Sequence, residues 1–260
     1  QELGARAFMN PDETRKRVDL LHSYLADERA RIENLRIVGV TKEETPEVYD
    51  TFMEYTTKAY ASEKSPLELS FIPIHPGDIL SYGGYHFEVK LLKGHTFGQC
   101  GLYEPEKKLM FVGDQLMTTI VPIVGTQETD LGMLKCYLDS LGDLKHNYKD
   151  CYFLPCHYGE IRNVEKEVNR IILRYLEKCE IMKHVLEEAG TALTTRDIGV
   201  RTYGRSQGPP DYAHFASCTY IWAKTFSCME YMMGEGFVER SERDGIIYWK
   251  APSIHFENNR

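Results

Sequence analysis

Gly94-His95-Thr96-Phe97-Gly98 sets a histidine between two glycines, just after the apolar Leu91-Leu92. Working outward, the plan recurs twice. Phe111-Val112-Gly113-Asp114 ends an apolar run on an aspartate, and Leu154-Pro155-Cys156-His157-Tyr158-Gly159 ends one on a histidine next to Tyr158-Gly159. Ligand-handling side chains sit on loops at strand ends, where glycine lets the backbone come close. Singly, each histidine reads as an ordinary surface or core residue. In order, at strand ends and beside glycine, the three point to a metal site. Imidazole and carboxylate suit zinc, iron or manganese, and one aspartate can bridge two cations about 3.5–4 Å apart. His95, Asp114 and His157 are therefore the candidate metal ligands, and Asp114 is also the candidate catalytic residue.

The remaining composition bounds the problem. At 260 residues, the chain has room for one large domain or two smaller ones. With 42% hydrophobic and 27% charged residues it reads as globular. No apolar run approaches the ~20 residues of a membrane span, and Gln1–Arg6 does not read as a signal peptide. A net charge of −8 disfavours nucleic acid as the main partner. Seven irregularly spaced cysteines without a C-x-x-C pair suit reduced thiols and a cytoplasmic location.

Gln1-Glu2-Leu3-Gly4-Ala5 reads as the end of a helix, followed by a short strand at Arg6–Met9. Asn10-Pro11-Asp12-Glu13 is a helix start, with Val18, Leu21 and Leu25 following at helical spacing. A second helix starts at Pro46, with Val48, Phe52, Tyr55 and Ala59 on one face. These helices read equally as packing or as a lid; Tyr49, Phe52 and Tyr55 are more in keeping with core than with a pocket. From Leu67 the period changes to strands: Leu69–Ile74, Ile79–Tyr82 and Tyr85–Val89 around Gly83-Gly84, Cys100–Tyr103, Lys108–Val112 and Cys151–Leu154. A helix spans 131–144. Asn163 caps a long helix ending at Gly190. Then come a helix start at Thr194-Thr195, a Gly/Pro loop at Gly204–Pro210, a helix to Gly234 and a hairpin around Asp244-Gly245. Helices followed by a hairpin suggest a winged-helix module.

The three segments resemble those of the metallo-β-lactamase-fold hydrolases. That superfamily has a G-H-[ST]-x-G loop, a strand ending in G-D and a P-x-H-G loop. The resemblance implies that His95 serves a first metal, Asp114 bridges two and His157 serves a second. Phe97 and Tyr158 are mild departures. Glyoxalase-II-like members, with inserted helices and a C-terminal winged-helix region, are the most similar. The implied fold class is α/β: a truncated αββα sandwich over residues 1–160, with a helical insertion at about 10–62. Residues 161–260 would then form a long helix plus a winged-helix-like domain.

The H-x-H-x-D-H motif of that superfamily is absent: no two of the nine histidines are one residue apart. The expectation is a fragment lacking its first sheet strands and three or four ligands. Two zinc ions are implied for the complete family, with iron or manganese as alternatives, and partial or no occupancy for this chain. The implied activity is hydrolysis of an ester, thioester, lactone or phosphodiester by a metal-bound hydroxide, on a small-molecule substrate, with no membrane partner; a homodimer is left open. The alternatives are a non-catalytic binding protein and a winged-helix nucleic-acid-binding module. The latter is disfavoured, because residues 191–260 hold eight Lys+Arg against eight Asp+Glu and lack a basic stripe.

Of the other candidates, His75 reads as a turn residue, His86 as mid-strand and His146 as part of a polar turn. Cys156 reads as a buried structural thiol. Thr118–Ile123 is expected to run along the rim of the cleft without a catalytic role.

Overall fold

The computed structural model describes residues 6–13, 28–61, 71–124, 132–204 and 212–252. The expected helix end at Gln1–Ala5, the positions Val18, Leu21 and Leu25, the strand start at Leu69 and most of the Gly204–Pro210 loop lie outside them. The chain divides into two compact units, Gln1–Arg31 with Tyr55–Arg174, and Ile32–Glu54 with Tyr175–Arg260.

The first unit is organised by a five-stranded sheet. Its strands follow the alternating runs of the sequence: β3 (Ile79–Tyr82), β4 (Tyr85–Leu91), β5 (Cys100–Glu104), β6 (Leu109–Gly113) and β7 (Tyr152–Pro155), in spatial order β3-β4-β5-β6-β7. Gly83 and Gly84, at φ 58° and 84°, make the tight turn between β3 and β4. The first four strands are antiparallel neighbours, whereas β6 and β7 are parallel. A separate parallel pair joins β1 (Phe8–Met9) to β2 (Ile72–Pro73). Asn10 follows β1, and its carboxamide oxygen accepts the Asp12 N–H at 2.8 Å, capping the turn that begins at Pro11.

The sheet's two faces differ. Met110, Val112 and Phe153 are fully buried on one, each such side chain contributing about 1.5–3 kcal/mol. Phe87, Leu102, Phe111 and Leu154 share the other through the strand register, and Phe111 is 41% exposed there. The helix Met133–Asn147 buries Met133, Leu134, Tyr137, Leu141 and Leu144 at helical spacing. His146 lies in its last turn rather than in a polar loop. A lysine and a histidine there complement the helix dipole, so the helix continues past Leu144.

The second unit has its own core. Leu35, Val40 and Trp222 are buried, and Val48, Tyr49 and Phe52 pack on them; Tyr49 and Phe52 are core, as their spacing suggested. Three strands, β8 (Leu193–Thr194), β9 (Glu239–Arg243) and β10 (Ile246–Lys250), pair antiparallel in the order β8-β10-β9. Asp244 and Gly245, both left-handed, close the β9–β10 turn. The Thr194 hydroxyl accepts the Asp197 N–H at 3.1 Å and starts the helix Thr195–Tyr203. Trp249, fully buried, donates its indole N–H to Thr195 Oγ1 at 2.9 Å. Among the described residues no helix is long and apolar enough to cross a membrane.

Candidate metal centre

Strand direction brings the three predicted residues together. β6 and β7 are parallel and Gly113 pairs with Pro155, so Asp114 and His157 emerge side by side at the strands' C-terminal ends. β5 runs antiparallel to both β4 and β6, and Leu91 pairs with Cys100. The β4–β5 connection therefore lies at the same end of the sheet, and His95 sits on it. Glycine makes this loop feasible: Gly94 has φ +142°, and a Cβ there would lie 2.5 Å from the Tyr137 Cα.

His95 Nε2 is 3.6 Å from Asp114 Oδ2, and His157 Nε2 is 3.5 Å from Asp114 Oδ1. Both separations are at or beyond the limit of a hydrogen bond. Two ligands each about 2.0–2.1 Å from a tetrahedral zinc ion stand roughly 3.3 Å apart, close to what is seen. Asp114 Oδ1 is buried and accepts no hydrogen bond. Such an orphaned carboxylate oxygen costs free energy unless a cation or proton meets it.

The His95 ring is already oriented. Its Nδ1 lies 2.7 Å from the Ile123 carbonyl oxygen. A carbonyl only accepts, so Nδ1 carries a proton, and Nε2 is turned toward Asp114. A histidine held in this way by its second nitrogen is characteristic of metal ligation. The donor set fits two cations in pairs: one imidazole and one carboxylate oxygen each. Among the described residues, no group of three or more His, Cys, Asp or Glu side chains could hold a metal ion.

The surroundings hold these loops in register. Gln115, fully buried, accepts from Gln99 Nε2 at 3.3 Å and donates to the Lys93 carbonyl at 3.4 Å. Tyr137, fully buried, donates its hydroxyl to the Gln115 carbonyl at 2.8 Å; burial pushes this phenol well above its ordinary pKa. Tyr158 adopts φ +68°, directly after His157, a conformation costing about 1 kcal/mol for a non-glycine residue. Its carbonyl accepts from Thr118 Oγ1 at 3.1 Å.

A likeness to solved structures accompanies this geometry. The chain aligns over 96% of its length with a metallo-beta-lactamase family protein from Thermus thermophilus, at TM-score 0.74 and 20% identity, covering 73% of that chain. This chain has the metallo-β-lactamase fold. A beta-lactamase domain protein from Burkholderia ambifaria shares the fold over 95% of this chain and 67% of its own, at TM-score 0.73 and 20% identity. Over 40 residues, 15% of the chain, the sequence is 50% identical to hydroxyacylglutathione hydrolase GloC from Haemophilus influenzae. That match spans about a fifth of the curated relative, 19% of its length. No protein-family profile matches the chain.

Other sequence candidates fall elsewhere. His75 lies in a turn, its backbone N–H donating to Asp78 Oδ2 at 2.7 Å. His86 pairs across the β3–β4 hairpin with Ser81 Oγ at 2.8 Å. Cys156 is exposed rather than buried, because β7 ends at Pro155 and releases it from the sheet. The Thr118–Ile123 rim contributes the Ile123 carbonyl to His95. Sequence reading missed this: every residue carries a carbonyl, so no side chain announces one.

Proposed function

We propose that the chain carries part of a two-cation centre for hydrolysis of a small-molecule ester or thioester. The observation that carries this reading is the division of Asp114: its two oxygens face two different imidazoles at 3.6 and 3.5 Å. The metallo-β-lactamase fold and the short match to a hydroxyacylglutathione hydrolase support hydrolysis, and thioesters first among substrates.

In this reading His95 and Asp114 would hold one cation, and His157 and Asp114 would hold the other. Zinc suits these nitrogen and oxygen donors, with iron and manganese as alternatives. When bound, the cations supply Lewis acidity and make water acidic enough to lose a proton at neutral pH. Asp114 offsets the positive charge at both positions. Ile123 keeps the His95 proton on Nδ1, so the ring does not turn its N–H toward the cation. Two donors per cation from these three side chains make weak sites.

In the same reading the second unit is a winged-helix-like packing module rather than a nucleic-acid reader. The only Lys or Arg on the helix Tyr212–Gly234 is Lys224, and burial lowers its pKa instead of presenting its charge to a phosphate. Cys100, Cys136, Cys151, Cys156, Cys179 and Cys228 are free, in keeping with a reducing, cytoplasmic setting.

The test is hydrolysis of a panel of hydroxyacylglutathione thioesters, simple esters and lactones by zinc-supplemented protein. The expected result is turnover that a chelator removes and Asp114→Asn abolishes. Turnover that survives the chelator or survives Asp114→Asn, or no zinc-dependent turnover at all, overturns the reading.

A further inference from the structure

Arg170 lies on the helix Val164–Ala189, which follows the His157 loop. Its Nη2 donates to the Met117 carbonyl at 2.7 Å and to the Ile120 carbonyl at 3.2 Å. Its Nε donates to Glu167 Oε2 at 2.8 Å, an i,i+3 ion pair in which Glu167 is largely buried. The guanidinium fork is thus anchored on its own helix and grips two carbonyls of the segment after Asp114.

That segment has no regular structure between Gln115 and Val124, and Thr118 ties it to the Tyr158 carbonyl. Tyr137 holds its first carbonyl, at Gln115. Arg170 holds those of Met117 and Ile120. Three residues beyond Ile120, the Ile123 carbonyl receives the His95 Nδ1 proton. From these contacts we infer that Arg170 is a positioning residue for His95. It fixes the course of 117–120, which places the Ile123 carbonyl and holds the imidazole by its Nδ1–H with Nε2 toward Asp114. The inference rests on the reading of His95 as a metal ligand for its functional meaning, and on hydrogen bonding alone for its geometry.

Its test reads the His95 tautomer directly, in metal-free protein, by 15N-edited NMR of the imidazole rings at a fixed pH where the ring is neutral. Wild-type protein is expected to show a single Nδ1–H tautomer, its proton slow to exchange. In Arg170→Met the Nε2–H tautomer gains population and the Nδ1 proton exchanges faster. Arg170→Lys, which keeps the charge but loses the fork, falls between the two. Zinc affinity drops roughly tenfold in Arg170→Met, the scale expected when a ligand loses its orienting partner. Glu167→Gln is the milder second variant should Arg170→Met not fold, and it shifts the tautomer the same way by less.

A His95 spectrum unchanged in folded Arg170→Met, or in Glu167→Gln if the former does not fold, overturns the inference. Loss of zinc binding in the wild type, with the tautomer still responding to Arg170, instead overturns the metal reading and leaves the positioning role standing.

Discussion

Gln99 donates to Gln115 Oε1 at 3.3 Å, tying the loop that carries His95 to the one that follows Asp114. Neither glutamine reaches the candidate centre, yet each touches the backbone that shapes it. Gln99 also donates to the Val112 carbonyl, and Gln115 to that of Lys93. In Gln115→Leu, Gln99 and the Lys93 carbonyl lose a buried partner, at a cost of about 1–3 kcal/mol. Urea unfolding should show that loss, with weaker zinc binding beside it. Stability equal to wild type would mean that the two loops are held by other contacts.

Gly94→Ala tests the close approach beside His95. The substitution combines a backbone at φ +142° with a Cβ 2.5 Å from the Tyr137 Cα. Strain and overpacking together should cost about 2–4 kcal/mol. A denaturation midpoint within experimental error of wild type would contradict the packing described.

Alkaline pH should destabilise the chain. Burial raises Tyr137 well above its ordinary pKa and raises Tyr203 as well. A hydrogen bond to Cys179, then burial, raises Cys228. The unfolded chain releases these protons first, its thiols near pH ~8.5 and its phenols near ~10, while the folded chain retains them. Stability is therefore fully present below about pH 8 and falls as pH rises toward the raised folded values. Urea midpoints at pH 7, 9, 10 and 11 should decline in order. Tyr137→Phe should start lower, having lost its bond to Gln115, and decline less steeply between pH 10 and 11. A flat profile in the wild type would contradict the burial of these groups.

The second unit should not read DNA. Fluorescence anisotropy of a labelled duplex in low salt should stay unchanged up to tens of micromolar protein, far above the concentration a specific reader needs. A salt-sensitive shift at micromolar protein would reverse that assignment.

The sheet was legible because its signals are local. Ile79–Tyr82 and Tyr85–Val89 alternate around Gly83-Gly84, and the structure pairs them as a hairpin. Asp244-Gly245 announced the β9–β10 turn in the same way. The side chains of the candidate centre were visible because histidine and aspartate beside glycine at strand ends are uncommon. What orients them was not. The Ile123 carbonyl has no sequence signature, and Arg170 looks like any charged residue on an amphipathic helix. Thiols are usually buried, but Cys156 follows the end of β7 and is exposed. His146 was read in a turn because its neighbours are polar, although the helix continues beneath it.

The division of Asp114 between two cations is tested most directly by cobalt(II) titration of the metal-free chain, followed by absorption spectroscopy, in four proteins. Wild type should show two weak binding steps. His95→Ala and His157→Ala should each lose a different one, and Asp114→Asn should lose both. Binding by Asp114→Asn indistinguishable from wild type, or loss of the same single step in both histidine variants, would contradict the account.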